Sequence, residues 1–594
     1  MKNKEYISVL GIDLGTTFSC VAHVKDDGTI EVLTNSEGDR TTPSVFTIVD
    51  GEVLIGNSAI EQEAFTPENV IRSIKRYMGT NKRFRIKDRV LSPEEISSEI
   101  LRKLKNDAES FLEEEITDVI ITVPAYFDNN QRKATMVAGE LAGLNVLRVI
   151  NEPTAASLAY GLGKNKNETI LVYDLGGGTF DVTVLKLSDD GVFEVKSTAG
   201  NTALGGDDID KLIMNVFIKE VNKEMPDLDC SDVAVLSRLR EAAEKMKKQL
   251  SFNQSYEVKI PYFFGAKPFR YKMFRAKFNE MIKPLITETL MSVKQALNDA
   301  HIDYKDLNQI VLVGGSTRIP YVSDELKKLT GLEPHKGVNP DEAVAIGAAI
   351  QAATITGNRK RDILLLDVTP LSLGVEVYGE LMSVMIRRNT TIPHEFTERF
   401  TTYEDGQESV DVKVFQGERP NVKDNRKLDE FKLTIAPAPR GVAKIDVTFK
   451  IDVNGILSVK ALDAITGTEV EMLITGGSSL TPEEIQDILK NAELHKEQDQ
   501  LELTIKNGQA VLFSQLIQIE SFLRNNKAAF TQEFIDELED MLASLNDAKD
   551  STNIEILSEL SKEVEAIIKN ASDDVYVWAE TKVNKIGATI GETK

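Results

Sequence analysis

Three aspartates, Asp13, Asp174 and Asp181, stand beside short runs of glycine and threonine. Asp13 precedes Gly15-Thr16-Thr17, while Asp174 and Asp181 flank Gly176-Gly177-Gly178-Thr179. A Gly-rich turn leaves its backbone N–H groups bare and makes a concave anion site. Carboxylates repel phosphate, so beside such a turn they would hold Mg2+, its waters or another cation. The two turns could therefore grip a triphosphate from opposite sides.

The elements that must position these turns are legible as an internal repeat. Residues 7–22 read ISVLGIDLGTTFSCVA and residues 170–185 read ILVYDLGGGTFDVTVL. Each is an apolar β-branched run, Asp-Leu-Gly, a Gly/Thr turn and a second apolar run, which predicts a β-hairpin. Residues 118–127, DVIITVPAYF, and 309–318, QIVLVGGSTR, form a second pair, each a buried-type strand ending in a turn. The copies are far apart in the chain, which predicts two similar lobes facing one another.

At 594 residues the chain is too long for one core, since single cores stop growing at roughly 250–300 residues. A net charge of −24 opposes general affinity for nucleic acid. Cys20 and Cys230 make no metal-binding spacing and suggest a reducing compartment, with the cytoplasm as the expected location. The first apolar run ends at Asp13, too short for a signal peptide. No apolar stretch of about 20 residues is present, so no bilayer span is expected.

Beyond residue 370 the pattern changes. Alternating segments, SVDVKVFQG (409–417), FKLTIAP (431–437) and KIDVTFKIDVNGILSVKAL (444–462), predict a compact antiparallel β-domain with a tight hairpin at Asn454-Gly455. No His, Cys or acid–base cluster lies in it, so binding rather than reaction is expected. LLLDV (364–368) is an apolar run between two folded regions, open to two readings: a docking segment or the first strand of the next domain. From Leu480 the periodicity becomes helical, with Thr481-Pro482-Glu483-Glu484 as a capping motif and amphipathic segments to about Lys569.

The segments GIDLGTT, NEPTAASLAYG (151–161), YDLGGGTFDV (173–182), VLVGGSTRIP (311–320), NPDEAVAIGAA (339–349) and LLLDVTPLSLG (364–374) resemble the seventy-kilodalton heat-shock chaperones, most closely the bacterial DnaK type. The resemblance runs from about residue 7 to residue 490 and weakens beyond. It implies an actin-like (duplicated ribonuclease H-like) α/β ATPase domain over residues 1–360, a linker at 361–369, a β-sandwich substrate-binding domain at 370–479, and an α-helical lid and tail at 480–594. It implies an ATP-dependent chaperone that binds hydrophobic segments of unfolded polypeptides and assists folding under stress, with ATP/ADP, Mg2+ and K+ as ligands. A J-domain co-chaperone and a GrpE-type nucleotide exchange factor are the implied partners.

Site residues carry over by position. Lys75, Glu152, Asp174 and Thr179 match the catalytic set, and Asp13, Asp174 and Asp181 the metal set. Gly15, Thr16, Thr17, Phe18, Gly177, Gly178 and Thr179 match the phosphate side of the nucleotide site. Glu244, Lys247, Lys248, Ser251, Gly315, Ser316, Arg318 and Asp341 match the adenosine side, where Arg318 could stack on the base. Asn or Tyr is usual at position 18, so Phe18 departs from the pattern. Val375, Phe400, Val410 and Val412 match the peptide pocket, and Tyr378 and Tyr403 fall where the family builds an arch over the bound chain. Met and Ala are common at those arch positions, so two tyrosines predict a shifted peptide preference. Pro124, Arg132, Leu364, Leu365, Leu366 and Asp367 match the relay between nucleotide and linker. The only tryptophan, Trp578, is expected to be a packing residue of the tail.

Overall fold

The two Asp-Leu-Gly hairpins nucleate two sheets of matching topology. Strand Leu10–Asp13 pairs antiparallel with Phe18–Val24 and parallel with Asp118–Val123. Strand Glu168–Leu175 pairs antiparallel with Phe180–Leu187 and parallel with Gln309–Val313. The same three-strand pattern thus recurs at both predicted pairs of segments, and each pattern lies within a six-stranded sheet. A computed structural model describes residues 9–25, 27–161, 167–335, 337, 339–357, 363–474, 496–526 and 532–567. The capping motif at Thr481–Glu484 and Trp578 lie outside these residues.

Helix Ala343–Ile355, rich in alanine and largely buried, joins the lobes. It shares one apolar cluster with Val9, Ile120 and Ile150 of the first lobe and Ile170 and Val172 of the second. Its closeness depends on missing side chains. A Cβ on Gly11 would collide with the backbone of Ala349, and one on Gly347 with the backbone of Ala155. The helix thus packs tightly on the first-lobe sheet at Gly11 and on helix Glu152–Gly161 at Ala155.

The LLLDV segment forms a strand that belongs to neither sheet of the β-domain. Strand Leu364–Val368 pairs parallel with Val192–Asn201 of the second lobe and antiparallel with Thr391–Ile392. Leu365 and Val368 enter the interlobe apolar cluster, whereas Leu364 stays half exposed. The β-domain is a sandwich of two four-stranded sheets. One contains Leu373–Val377, Leu381–Ile386, Ser409–Gln416 and Arg426–Thr434; the other contains His394–Phe400, Ile445–Ile451, Leu457–Asp463 and Glu469–Leu473. Alternation places Val412, Val414, Val447, Phe449 and Val459 in the core between them.

Asn454-Gly455 sits in the expected hairpin, where Gly455 N–H donates to the Asp452 carbonyl at 3.1 Å and Gly455 takes φ +79°. Five residues join Ile445–Ile451 to Leu457–Asp463, and the Asp452 carboxylate accepts from the Asn454 and Ile456 amides at 2.8 Å each. The Asp452 side chain organises the turn, which frees Asn454 for a contact described below. Helices Lys496–Asn526 and Gln532–Ala548, with helical residues 554–567, enclose a core of Leu512, Leu516, Ile519, Leu538, Leu545, Leu557 and Val564.

Candidate functional site

The Gly-rich turns meet across the cleft between the lobes. A Cβ on Gly177 would strike Thr17, and one on Gly178 would approach the Thr16 methyl at 2.5 Å. Only glycine lets the two backbones approach so closely. Gly205 and Gly206 sit against the same turn, with Gly206 N–H bonded to the Gly176 carbonyl at 3.0 Å and Asp207 N–H to that of Gly177 at 2.8 Å. The start of helix Gly206–Glu224 therefore also faces this space.

Beneath the turns lies a buried charged cluster. Lys75, in the short helix Ile74–Tyr77, is buried and ion-paired with buried Glu152. An isolated lysine there would be costly, so the pair is a structural necessity as well as a chemical resource. Burial, then the charge of Glu152, pushes the Asp13 carboxyl up to about 7 and that of Asp181 up to about 8. The same two causes hold Asp174 well above the usual carboxylate range. Thr122 donates to Asp13 at 3.2 Å.

These groups fit a phosphate–metal ligand. Thr17 Oγ1 is buried with no hydrogen-bond partner, and neither Asp181 oxygen makes a well-formed hydrogen bond, the Ala125 and Tyr126 amides being weaker support. Among the described residues no three acidic, His or Cys side chains form a ready metal cage. Asp13, Asp174 and Asp181 thus suit a cation held largely by its waters and by phosphate oxygens, as small hard cations prefer.

The residues expected around adenosine fall on the second lobe. Helix Val233–Phe252 carries Glu244, Lys247, Lys248 and Ser251. Lys247 is anchored to Asp210 at 2.6 Å and to the Gly206 carbonyl at 3.1 Å, and Lys248 pairs with Glu244 at 2.6 Å. Ser251 donates to the Lys247 carbonyl at 3.0 Å. On the facing side Ser316 donates to the Gly176 carbonyl at 2.8 Å. Arg318 is held by Asp341 at 2.5 Å and Asn339 at 3.0 Å, and Gly315 lies beside Asp341. Thr179 is buried, its carbonyl accepting from Gly176 N–H at 3.0 Å. Phe18 places its ring 5.6 Å from Lys248 Nζ, so this departure from the pattern forms a contact between the lobes.

Other residues that bridge the cleft were not anticipated. Ser73 donates to Asp207 at 2.7 Å, Arg76 to the Gly178 carbonyl at 2.9 Å and to Asp208 at 2.7 Å, and Arg40 to Glu342 at 2.7 Å. The Gly-Gly-Asp-Asp run at 205–208 carried a readable signal, acids at a helix start following glycines.

The residues expected to form a relay lie behind the site. Pro124 is buried, and Phe127 N–H donates to its carbonyl at 3.1 Å. Arg132, fully buried with its pKa lowered by burial, donates to Phe127 O, Ala125 O and Asn151 Oδ1 at 3.0, 3.1 and 2.7 Å. Its remaining nitrogen reaches the Asn454 carbonyl of the sandwich at 3.3 Å, while Asn454 Oδ1 accepts from Val149 N–H at 3.1 Å. Asp367 of the linker strand accepts from Thr154 at 3.2 Å, next to catalytic candidate Glu152. Burial raises the Asp367 carboxyl above its ordinary value.

In the sandwich, Val375 and Val412 are buried, and Phe400 and Val410 pack at the edge of the same core. Tyr378 and Tyr403 lie on turns from opposite sides, their ring centroids 6.1 Å apart. Two segments of the chain, residues 9–86 and 81–577, match the model of a family described as Hsp70 protein, so the match extends well into the C-terminal helices and covers nearly the whole chain.

Proposed function

We propose a working cycle for this chain from a plain premise: it belongs to the Hsp70 family. Membership makes it an ATP-dependent chaperone of unfolded polypeptides that works with co-chaperones and takes ATP or ADP with Mg2+. The finer reading is of the bacterial DnaK type, serving folding and the stress response, with K+ as a second cation. A J-domain protein and a GrpE-type exchange factor are its proposed partners. The free thiols of Cys20 and Cys230 suit a reducing compartment such as the cytoplasm, and no described helix is long and apolar enough to cross a membrane.

Bound ATP with Mg2+ supplies the phosphoryl group and part of the charge neutralisation that phosphoryl transfer requires. Lys75 holds positive charge at the γ-phosphate end, and Glu152, paired to it, orients the attacking water. Thr179 offers its hydroxyl there, and Asp13, Asp174 and Asp181 order the hydrated cations. Glu244, Lys247, Lys248, Ser251, Gly315, Ser316, Arg318 and Asp341 line the adenosine end.

One observation carries the coupling: strand Leu364–Val368 is hydrogen-bonded both to the second lobe and to Thr391–Ile392. With ATP bound, Leu364, Leu365, Leu366 and Asp367 stay docked, helix Lys496–Asn526 lifts from the sandwich on which it rests here, and the clamp exchanges peptide; after hydrolysis the linker leaves, and the lid holds peptide against Val375, Phe400, Val410 and Val412. Each ligand must favour one arrangement for this to work. Single-turnover ATP hydrolysis by Lys75→Ala should fall on the order of 10²–10³-fold, the usual loss for a charge-stabilising donor. A hydrophobic peptide should stimulate the wild-type rate. Unchanged hydrolysis in Lys75→Ala would refute the assignment.

A further inference from the structure

The arch residue Tyr378 is held from above by a side chain outside the expected site. Phe513, on helix Lys496–Asn526, stacks on Tyr378 with centroids 4.5 Å apart and planes within 6°. Arg440 closes the other end, its guanidinium 6.0 Å from the Phe513 ring and its Nε 2.8 Å from Glu520. Tyr403, Tyr378, Phe513 and Arg440 thus form a continuous ladder from the arch to the helix.

The helix is built to present this face. Lys506, Phe513, Ile517 and Glu520 recur at seven, four and three residues, which aligns them along one side. Lys506 donates to the Gly379 carbonyl at 3.0 Å, gripping the same turn that bears Tyr378. Ile517 closes on Gly441. Tyr378 and Tyr403 both remain nearly half exposed, so the stack restrains an arch that its own packing does not.

We propose that Phe513 is a positioning residue of the clamp: stacked on Tyr378, it keeps the arch shut over an extended client until the helix lifts. The proposal rests on the peptide-clamp reading and adds what sets the release rate. A client beneath two tyrosines leaves when the turns at 378–380 and 401–408 separate. With Phe513 in place, that separation also breaks an aromatic stack, so arch opening and helix lifting become one event.

The test measures release of a fluorescein-labelled, leucine-rich peptide from the full-length, Mg·ADP-loaded protein. Phe513→Ala should release about 2- to 10-fold faster, the range for one aromatic pair. Phe513→Tyr should restore the wild-type rate, whereas Phe513→Leu, which keeps apolar bulk, should not. Tyr378→Ala combined with Phe513→Ala should be no faster than the faster single variant, since both remove one interaction. Wild-type release from Phe513→Ala or Phe513→Leu would overturn the proposal, as would effects that simply multiply in the double variant. Failure of the wild type to bind the peptide would instead sink the clamp reading itself.

Discussion

A carboxyl buried among other carboxyls keeps its proton until a cation replaces it. Asp13 and Asp181 are raised to about 7 and about 8, and Asp174 is raised with them. In the unfolded chain all three titrate near 4. The folded state therefore binds more protons between about pH 4 and pH 8. The stability these groups contribute is complete below about pH 4 and is lost as pH rises through 7 to 8. Nucleotide-free protein should accordingly lose a few °C of Tm from pH 6 to pH 8.5, while Mg·ADP, bringing its own cation, should flatten that slope. Thermal melts with and without Mg·ADP measure the difference, and Asp181→Asn should reduce the slope of the free protein. Equal slopes in the two conditions would show that the cluster does not exchange protons for metal.

Among the elements, the contact between helix Lys496–Asn526 and the sandwich hangs on a glycine. Gly441 has φ +77°, and a Cβ there would collide with the Ile517 Cγ2 methyl, which is stiff because isoleucine is branched at Cβ. Gly406 has φ +70° with open space around it. Alanine at either site should cost about 1–2 kcal/mol of backbone strain. Only Gly441→Ala should also lift the helix, seen as faster amide exchange over residues 505–520 and quicker peptide release. Equal exchange in the two variants would place the helix elsewhere. Such contacts could not be read ahead of the structure. The Asp-Leu-Gly hairpins were legible because turn chemistry and strand alternation are local, and their repetition exposed the two lobes. The partnership of Arg440 with Glu520, or of Phe513 with Tyr378, joins elements with no shared period. Asn454 was legible in part: it lies in the turn its type predicts, but its reach to Val149 joins distant segments and has no local signal. Lys75 was placed in the catalytic set by resemblance alone; no local pattern marks it as buried, because its ion-pair partner Glu152 lies in a distant segment.

Across the whole molecule, the proposed coupling of nucleotide state to peptide grip would cross the surfaces where the sandwich meets the lobes. One is the linker strand; another is an ion pair at the second lobe. Arg388 Nη2 lies 2.7 Å from Asp299 Oδ1, and next to it Asn389 Oδ1 accepts from Thr198 N–H at 3.2 Å. Asp299 ends helix Arg275–Asp299, where the helix dipole already disfavours negative charge. Arg388 offsets that cost in the docked arrangement, so docking should lose roughly 1 kcal/mol without the pair. Asp299→Arg sets two cations against each other and should diminish the ATP-driven acceleration of peptide release about fivefold or more, leaving release with ADP unchanged. Adding Arg388→Asp reverses the pair, with a cation now at the helix C-terminus, where the dipole favours it. The double variant should then regain most of the acceleration. Stopped-flow peptide release with ATP and with ADP, across the two single variants and the swap, reads this directly. If the swap stays as slow as the single variants, the ion pair is a bystander and any coupling crosses the other docked contacts, among them Leu364–Val368, Arg132–Asn454, Asn129–Ile474 and Asp128–Arg426.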